Sequence, residues 1–576
     1  MTTTSSTSMT MPTGPRSHKM QESLRAIILI ELLVPLALLV FGSYHGVLQV
    51  LYRAGAIRAA SFGGIDYYQG LTAHGVINAI VLTTMFAVAL GHALVSQELE
   101  SPLSIFGAGL SLALMLLGAV MSAAMIFLGK ATVLYTFYPP LKAHPIFYLG
   151  LAVFIVGSWI ALYTWIPVYL RWRKNHPGQK TPLAVVGMFA TFIIWQMATL
   201  PVAYEVLVML LPWSLGWTPG VNVVLSRTLF WFFGHPLVYF WLLPIYVLYY
   251  TMLPRLAGGK LFSDFAGRVS FMAFIVLSCP LGLHHQFADP GISSTWKGIQ
   301  TVLTLMVAIP SMLTAFTLAA SLEYAAHQRG GSGLFGWWKA LPYFSHENWL
   351  FSYLFCGLVI FLFGGVTGII NASYSMNSVI HNTAWLPAHF HLTVAGPVFL
   401  GILGMSLFLI TGLLNKPVAA IPTVLAIPYI WMIGTFTFST GLFLGGLRGE
   451  PRRTNLGLTY LNPSSPSYRP DWWISTHIGA IGGVIMGFAV LLYFIVLIRS
   501  LLAPALKDTP PFTIPLSEAY HDENVASVRN FTPWVTVAVV LCLAAYYVPV
   551  RDIIRSKYQP APAYAPGSAT PIANMR

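Results

Sequence analysis

Six histidines within long apolar stretches are the residues whose type and spacing most favour chemistry. An ionisable side chain in such a stretch is costly to bury, and it indicates function unless a partner explains it. They lie in four different stretches. Two of them are adjacent in the sequence, and two others stand at i and i+2. They are His74, His235, His284, His285, His389 and His391. The alternating direction of successive spans predicts that all six share one layer in the outer half of the membrane.

The spacing of the last pair predicts more than one site. Residues at i and i+2 of a helix point about 200° apart, so His389 and His391 face opposite sides of their helix and serve two different cofactors. His74, from another helix, completes a bis-histidine pair with one of them. Two imidazoles from separate helices form a low-spin haem site, and a single proximal histidine leaves the other haem face open.

The remaining set is His235, His284 and His285. Three neutral imidazoles without a soft sulfur ligand suit copper or zinc, and the residues alone leave both metals open. The three cysteines of the chain lie far apart in the sequence, without CxxC or CxH spacing. They predict free core thiols rather than a thiolate site.

The composition indicates what positions these histidines. Of the 576 residues 56% are apolar and only 8% are charged, against roughly 25% in a soluble domain, and the mean hydropathy is +0.71. So few charges cannot cover a water-exposed surface. Soluble, disordered, collagenous and nucleic-acid-binding proteins are therefore excluded, and the net charge of +13 lies in short clusters typical of membrane loops.

The apolar runs predict an all-α polytopic membrane protein. Runs this long and continuous are helices, because barrel strands have about ten residues and alternate. We expect a single transmembrane bundle over 23–556, with a disordered N-terminal tail at 1–22 and a C-terminal tail at 557–576. The thirteen predicted spans are 26–52, 69–96, 103–129, 145–171, 183–212, 223–252, 267–285, 298–325, 346–370, 381–414, 422–448, 474–501 and 532–551.

Short basic loops predict the orientation. Lysine and arginine are enriched in cytoplasmic loops, and the loops after the fourth and sixth predicted spans are the most telling. Their basic residues are Arg171, Arg173, Lys174 and Lys180 in the first, and Arg255, Lys260 and Arg268 in the second. We therefore expect a cytoplasmic N-terminus and, with an odd number of spans, a C-terminus outside.

The motifs around the histidines closely resemble those of subunit I of the haem-copper oxygen reductases. They are Phe233-Gly-His-Pro-Leu-Val-Tyr239, His284-His285-Gln-Phe-Ala-Asp-Pro-Gly291 and His381-Asn-Thr-Ala-Trp-Leu-Pro-Ala-His389-Phe-His391. Two further motifs are similar to those of the B-type branch, the ba-type cytochrome c oxidases. They are Tyr67-Tyr-Gln-Gly-Leu-Thr-Ala-His74-Gly75 and Ala131-Thr-Val-Leu-Tyr135-Thr-Phe-Tyr138-Pro-Pro140. Leu237, where the A-type branch usually has glutamate, supports the B-type assignment.

The resemblance implies ligands for two haems and one copper ion. His74 and His391 would ligate the low-spin haem, of B or A type, and His389 the iron of a high-spin haem of A type or a variant. The set implied for the copper ion, CuB, is His235, His284 and His285.

The resemblance also implies roles for residues around these ligands. Tyr239 would be linked covalently to His235 and donate an electron and a proton when the O–O bond breaks. The spacing permits the link, because i and i+4 share a helix face. Arg452 and Arg453 would pair with haem propionates, and His381 would lie close to a propionate.

A stripe of hydroxyl groups predicts a proton path to this site. Tyr239, Tyr246 and Tyr250 stand at i, i+7 and i+11, and these offsets return to within about 20° of one direction. Hydroxyls on the eighth predicted span would form the other wall, and the resemblance implies Ser263 near the entrance. The wall residues are Ser311, Thr314 and Thr317.

Three residues depart from this pattern or stand apart from it. B-type relatives have aspartate four residues before the His-Asn pair, whereas this chain has Asn377, which puts a proton-loading role for that carboxylate in doubt. Glu205 fits the family pattern, and Glu31 is unexplained by it. Each glutamate is expected to bond a neighbour while protonated.

The resemblance implies a terminal respiratory enzyme of the prokaryotic plasma membrane that reduces dioxygen to water and translocates protons. Its expected partners are a subunit II with a dicopper centre, cytochrome c or quinol as electron donor, a small hydrophobic helper subunit and lipid. A nitric oxide reductase would use iron and acidic residues beside its haem. A secondary transporter would explain the spans but not the histidines.

Overall fold

The computed structural model describes residues 21–59, 64–507 and 510–556. Twelve helices in these ranges are long and apolar enough to cross a membrane, and a shorter helix stands seventh in order. They are α1 (Glu22–Arg53), α2 (Tyr67–Glu98), α3 (Ile105–Phe127), α4 (Pro145–Asn175), α5 (Leu183–Ser214), α6 (Val223–Thr251), α7 (Asp264–Ser278), α8 (Ser294–Gln328), α9 (Leu350–Ala372), α10 (Trp385–Leu413), α11 (Ile421–Leu447), α12 (Pro470–Leu502) and α13 (Thr532–Arg555). The predicted tails lie outside the described residues, apart from residues 21 and 22, and Glu22 is already the first residue of α1.

The helices agree with the predicted spans to about four residues at each end, with one exception. The seventh span was predicted to reach residue 285, but α7 ends at Ser278. Pro280 follows and has no N–H to continue the helix. The chain then forms a 3₁₀ turn, Gly282–Gln286. The predicted bundle of about thirteen helices is therefore confirmed, and its seventh helix is shorter than the predicted span.

Three of the long helices contain a widened, π-helical turn. These turns are Ile77–Leu82 in α2, Glu205–Leu210 in α5 and His391–Ala395 in α10. Such turns insert a residue into a helix and occur frequently at functional sites. The turn in α2 follows His74 closely, and that in α10 begins at His391 itself.

Four helices form the centre of the bundle. Most residues of α2, α5, α6 and α10 are buried, whereas the other long helices bury less than half of their most apolar segment. The outer helices expose large apolar side chains such as Leu117, Val120 and Val366. Apolar side chains on outward faces are expected where the surroundings are lipid. The chain is therefore a membrane-embedded, multi-pass protein whose candidate residues are carried mainly by its inner helices.

A segment between α12 and α13 crosses one end of the bundle. It forms the strand β2 (Ala519–His521), which pairs in parallel with β1 (Leu261–Ser263). The N–H of Ser517 also donates to the carbonyl of Thr251 at the end of α6. These two strands are the only sheet in the described ranges. The all-α prediction is correct apart from them, and the crossing delivers α13 to the side of α7.

Both glutamates inside the bundle have partners. Glu31 Oε2 lies 3.0 Å from Nδ1 of His92, and both side chains are fully buried. Glu205 Oε1 accepts a hydrogen bond of 2.5 Å from the hydroxyl of Ser226. The expectation that each glutamate bonds a neighbour is therefore met, and the partner of Glu31 is a histidine 61 residues away.

Candidate metal centre

His235, on α6, meets His284 and His285, which the turn after α7 carries. One nitrogen from each ring lies within 4.8 Å of the others, and Nδ1 of His235 is 3.1 Å from Nε2 of His285. Among the described residues no carboxylate or thiol joins this group. Three imidazole nitrogens at this spacing fit one copper or zinc ion.

Neighbouring side chains fix two of these rings. Nδ1–H of His284 donates to the carbonyl of Leu281, and the hydroxyl of Thr304 lies 3.1 Å from the same nitrogen. His284 is thereby left with Nε2 as its free lone pair, as is usual for a metal ligand. The indole of Trp231 stacks on His285 at 3.8 Å and 6°.

His74 and His391 form a second pair across the bundle. Their ring planes are within 8° of parallel and their centroids are 6.5 Å apart. Each Nδ1 donates to a backbone carbonyl, His74 to Gly42 at 2.9 Å and His391 to Pro387 at 2.7 Å. The rings are too far apart to touch, and a metal–nitrogen bond of about 2 Å from each fits the space between them. The arrangement therefore suits a bis-histidine haem.

His389 points to a different neighbour, as the i and i+2 spacing predicts. Its Nδ1 lies 2.9 Å from the hydroxyl of Thr367 on α9, and that hydroxyl donates to the carbonyl of Gly364. The hydroxyl can accept from Nδ1–H while it donates, which leaves Nε2 as the free nitrogen. His389 is thus prepared as a single ligand on the side of α10 opposite to His391.

All six histidines line one cavity of about 700 Å³. This volume is within the range of cofactor pockets, roughly 300–1,000 Å³. The lining is mostly apolar, and its polar members include Arg452 and Arg453. A large, flat and mainly apolar cofactor with acidic groups at one edge fits such a cavity, and two haems are cofactors of this kind.

Arg452 and Arg453 form a cationic edge. The guanidinium of Arg452 donates to Oδ1 of Asn382 at 2.8 Å, and that of Arg453 lies over the rings of Tyr135 and Tyr138. In the described part of the chain neither arginine has a carboxylate within salt-bridge distance. Burial, together with the charge of Arg453, lowers the pKa of Arg452 to about 9. An anionic group at this edge would stabilise the guanidinium cation and so raise this pKa.

The loop of the two arginines is tied to α1. Nη2 of Arg53 donates to Oε1 of Glu450 at 2.5 Å, and Nη1 donates to the carbonyls of Pro451 and Thr454. Glu450 is fully buried, and its second oxygen accepts from Ser475 at 3.1 Å. The ion pair therefore holds the backbone on both sides of Arg452 and Arg453.

Asn377 contacts His381 directly. Nδ1–H of His381 donates to Oδ1 of Asn377 at 3.0 Å, and Nδ2 of Asn377 donates to the carbonyl of Asn371. Burial, followed by the charge of Arg452, lowers the pKa of His381. Nε2 of His381 is buried without a hydrogen-bond partner. The amide thus fixes the ring as an aspartate would, but it carries no charge.

The predicted hydroxyl stripe is continuous in part. The ring of Tyr239 is 4.9 Å from that of His235. Tyr246 donates to the hydroxyl of Ser311 at 3.5 Å, and Tyr250 donates to that of Thr314 at 2.6 Å. The two walls of the predicted path therefore contact each other at two levels.

The other predicted members of the path are engaged locally. The hydroxyl of Thr317 donates to the carbonyl of Leu313 in its own helix, and Ser263 caps the start of α7 by accepting from the N–H of Ala266 at 3.1 Å. Ser270 on α7, which the sequence reasoning missed, lies 3.4 Å from the hydroxyl of Thr314.

Other supporting residues were also missed. Trp231 stands four residues before His235, and Thr304 seven residues before Ser311, so both lie on helix faces that were already of interest. Their positions were a usable signal. Thr367 gave no such signal, because its contact with His389 joins two different helices, α9 and α10, and follows from no spacing within either helix.

Comparisons with known proteins identify the group to which this site belongs. The model of the family Cytochrome C and Quinol oxidase polypeptide I matches residues 26–485. The chain belongs to this family. It is 41% identical over 513 residues to cytochrome c oxidase subunit 1 of Thermus thermophilus, covering 85% of this chain and 90% of that protein. A solved heme-copper terminal oxidase dimer is similar with a TM-score of 0.92 and 48% identity, covering 94% of this chain and 95% of that one.

The family resemblance drawn from the motifs is confirmed. The chain is subunit I of a haem-copper terminal oxidase, an enzyme that reduces dioxygen to water and whose cofactors are haem and copper. The transporter alternative is wrong, and the oxygen reductase is supported over the nitric oxide reductase. The Thermus relative is consistent with the B-type branch. A heme-copper oxidase subunit I+III of Aeropyrum pernix is 26% identical over 380 residues, covering 62% of this chain and 44% of that protein.

Proposed function

We propose that the six histidines hold two haems and one copper ion in the cavity they line. The observation that carries the proposal is the convergence of His235, His284 and His285 within 4.8 Å. His389 lines the same cavity and would hold the high-spin haem beside this ion. His74 and His391 would hold the low-spin haem between their parallel rings. When bound, these cofactors supply the electron transfer and dioxygen chemistry of the enzyme.

The haem propionates would lie at the cationic edge. Arg452 and Arg453 are partly buried there without a carboxylate partner among the described residues, and a guanidinium group can bind a carboxylate through two parallel hydrogen bonds. His381 would donate or accept at the same edge through its unpartnered Nε2. The mostly apolar lining suits haems, and we expect a high-spin haem of A type or a variant beside His389 and a low-spin haem of B or A type between His74 and His391.

Protons would reach the site along the hydroxyl stripe. Tyr250 and Tyr246 each donate to a hydroxyl on α8, so a proton can pass between phenol and alcohol oxygens by reorientation of O–H groups. Ser270 extends the stripe towards α7, and Ser263 would lie near its entrance. Tyr239 would release a proton and an electron at the site and be reprotonated from Tyr246.

The chain would act in a complex with other oxidase subunits. Subunit I of cytochrome c oxidase works with companion subunits, and the Aeropyrum relative carries a subunit III in the same chain. We expect a subunit II with a dicopper centre to pass electrons from cytochrome c, with quinol as the other donor to test. A small hydrophobic helper subunit and lipid would cover the outward apolar faces. In the prokaryotic plasma membrane the N-terminus would be cytoplasmic and the C-terminus outside.

Optical spectroscopy, metal analysis and oxygen uptake test the proposal together. The purified enzyme should contain about one copper per two haems, show one low-spin and one high-spin haem, and consume oxygen with reduced cytochrome c. Replacing His284 with Leu should remove copper and leave the low-spin haem spectrum intact. Iron instead of copper, or full copper content in the His284→Leu variant, would overturn the assignment of the three-histidine site. Turnover with quinol but not with cytochrome c would overturn the assignment of cytochrome c as the electron donor.

A further inference from the structure

The turn that carries His284 and His285 leaves helical geometry inside the bundle. Gly282, Leu283 and His284 are buried, and a backbone that departs from the helix frees N–H and C=O groups. Lipid offers no water to satisfy them, so protein groups must do so. The side chains that bond this backbone therefore decide where the two imidazoles lie.

The last helix supplies one of these side chains. The phenol oxygen of Tyr546, on α13, accepts a hydrogen bond of 2.7 Å from the N–H of Gly282. Tyr546 is only 3% exposed, and its ring stacks on Phe232 of α6 at 3.9 Å and 6°. A single residue of α13 thus joins α6 to the turn, two residues before the first histidine of the turn.

Gly282 is required by this close approach. A Cβ at this position would collide with the carbonyl oxygen of Trp231 and lie 2.5 Å from the phenol oxygen of Tyr546. Trp231 is also the residue whose indole stacks on His285. The turn, α6 and α13 therefore meet without room for a side chain, and a shift at Tyr546 would be transmitted to both histidines.

A second contact lies one turn earlier on α13. Cys542 precedes Tyr546 by four residues and shares its helix face. Its thiol contacts that of Cys279, the residue that follows α7. These two contacts align α13 with the end of α7 and with the first residue of the turn.

The opposite side of the turn is held by α8. Nε2 of Gln300 donates to the carbonyl of Pro280 at 3.0 Å, and its Oε1 accepts from the N–H of Leu283 at 3.3 Å. The backbone groups around Gly282 are thus satisfied by one side chain on each flank. Gln300 on α8 bonds the turn on one side, and Tyr546 on α13 bonds it on the other.

We propose that Tyr546 is a positioning residue for the copper ligands. Its phenol oxygen fixes the backbone at Gly282 and so keeps His284 and His285 aligned with His235. The inference rests on the proposed function, because it takes copper as the ion that the three histidines bind. Helix α13 contributes no copper ligand itself, and the proposal gives it a role in positioning the ligands of other elements.

Tyr546→Phe tests the hydroxyl alone, because phenylalanine retains the stacking on Phe232. Tyr547→Phe on the same helix is the matched control, since Tyr547 is 66% exposed. In the purified complex, copper loss to excess chelator should be about fivefold faster or more in Tyr546→Phe, because a buried N–H is left without its acceptor. The infrared band of carbon monoxide on copper should broaden. Haem content should stay normal, and Tyr547→Phe should match the wild type.

Equal copper loss and equal band width in the two variants would overturn the proposal, provided that the wild type binds copper. A wild type without copper would instead overturn the proposed function. Hydrogen exchange of the wild-type complex gives a second test that needs no variant. The amides of Gly282 and Leu283 should be protected as strongly as those of α7. Fast exchange at both, beside a protected α7, would also overturn the proposal.

Discussion

Gly46→Ala should selectively weaken the low-spin haem site. Gly46 lies in α1 opposite His74, and a Cβ there would stand 2.8 Å from both Cε1 and Nδ1 of the His74 ring. Real Cβ contacts are longer, so the ring has to move. His74 has little freedom to do so, because its Nδ1 donates to the carbonyl of Gly42 and its plane is matched to that of His391.

The size of the effect follows from this overlap. Inserting one carbon into a packed interior costs about 1–3 kcal/mol, and alanine returns up to about 1 kcal/mol through its higher helix propensity. If the strain falls on the His74 ring, the full 1–3 kcal/mol weakens axial ligation by roughly 5- to 150-fold. The fold itself should lose little, because the helix gain offsets part of the strain.

The assay is the low-spin haem spectrum of the purified enzyme. Reduced-minus-oxidised difference spectra and electron paramagnetic resonance should show loss or heterogeneity of the bis-histidine signal, with copper content unchanged. Gly109→Ala on α3 is the control, because nothing lies within 4 Å of its Cβ position. An unaltered low-spin signal in Gly46→Ala, at normal expression, would refute the assignment of His74 as an axial ligand.

Three further perturbations address the proton path, the arginine loop and His381. Tyr246→Phe should slow steady-state oxygen uptake about tenfold or more with normal haem and copper, because it interrupts the hydroxyl stripe; unchanged turnover would contradict the path. Glu450→Gln leaves Arg53 without its charged partner, and breaking a buried ion pair costs about 3–5 kcal/mol of stability. Haem release on heating should therefore begin at a lower temperature than in the wild type. An equal melting curve would exclude the role of this ion pair in anchoring the arginine loop. Asn377→Asp places a carboxylate beside His381, which raises the pKa of that imidazole; the pH profile of turnover should shift upward, and an identical profile would show that His381 does not titrate during turnover.

Much of the architecture could be predicted because lipid restricts what a sequence can form. A span needs about 20 apolar residues, so the ends of most helices followed from hydropathy. Hydropathy does not register the break at Pro280, where apolar residues continue although the helix stops. The crossing segment and the pairing of β1 with β2 were also missed, because they depend on two short strands that are distant in the sequence.

The sequence could predict the residues of the site whose type and spacing themselves indicate metal or proton chemistry. The tyrosine stripe and the pair His389 and His391 have spacings that a single helix imposes, and the alternating direction of the spans places all six histidines in one layer. Their supporting contacts join different helices, as Thr367 does with His389 and Tyr546 with Gly282. Nothing in the local sequence distinguishes such a threonine or tyrosine from others in a membrane helix. The sequence could predict the histidines that would bind the metals. The residues that position those histidines become visible only in the structure.

The hydrogen bonds of the histidine rings decide which ring nitrogen is left to bind a metal. Nδ1 is occupied by a backbone carbonyl or a hydroxyl in four rings, which leaves Nε2 as the free nitrogen of His74, His284, His389 and His391. His235 differs in that its Nδ1 faces another ligand of the three-histidine site, Nε2 of His285 at 3.1 Å, while its Nε2 is buried without a partner. A covalent link to Tyr239 needs one ring nitrogen that neither a metal nor a hydrogen bond occupies. The exception therefore falls on the one histidine whose i+4 neighbour is the tyrosine implied as its partner.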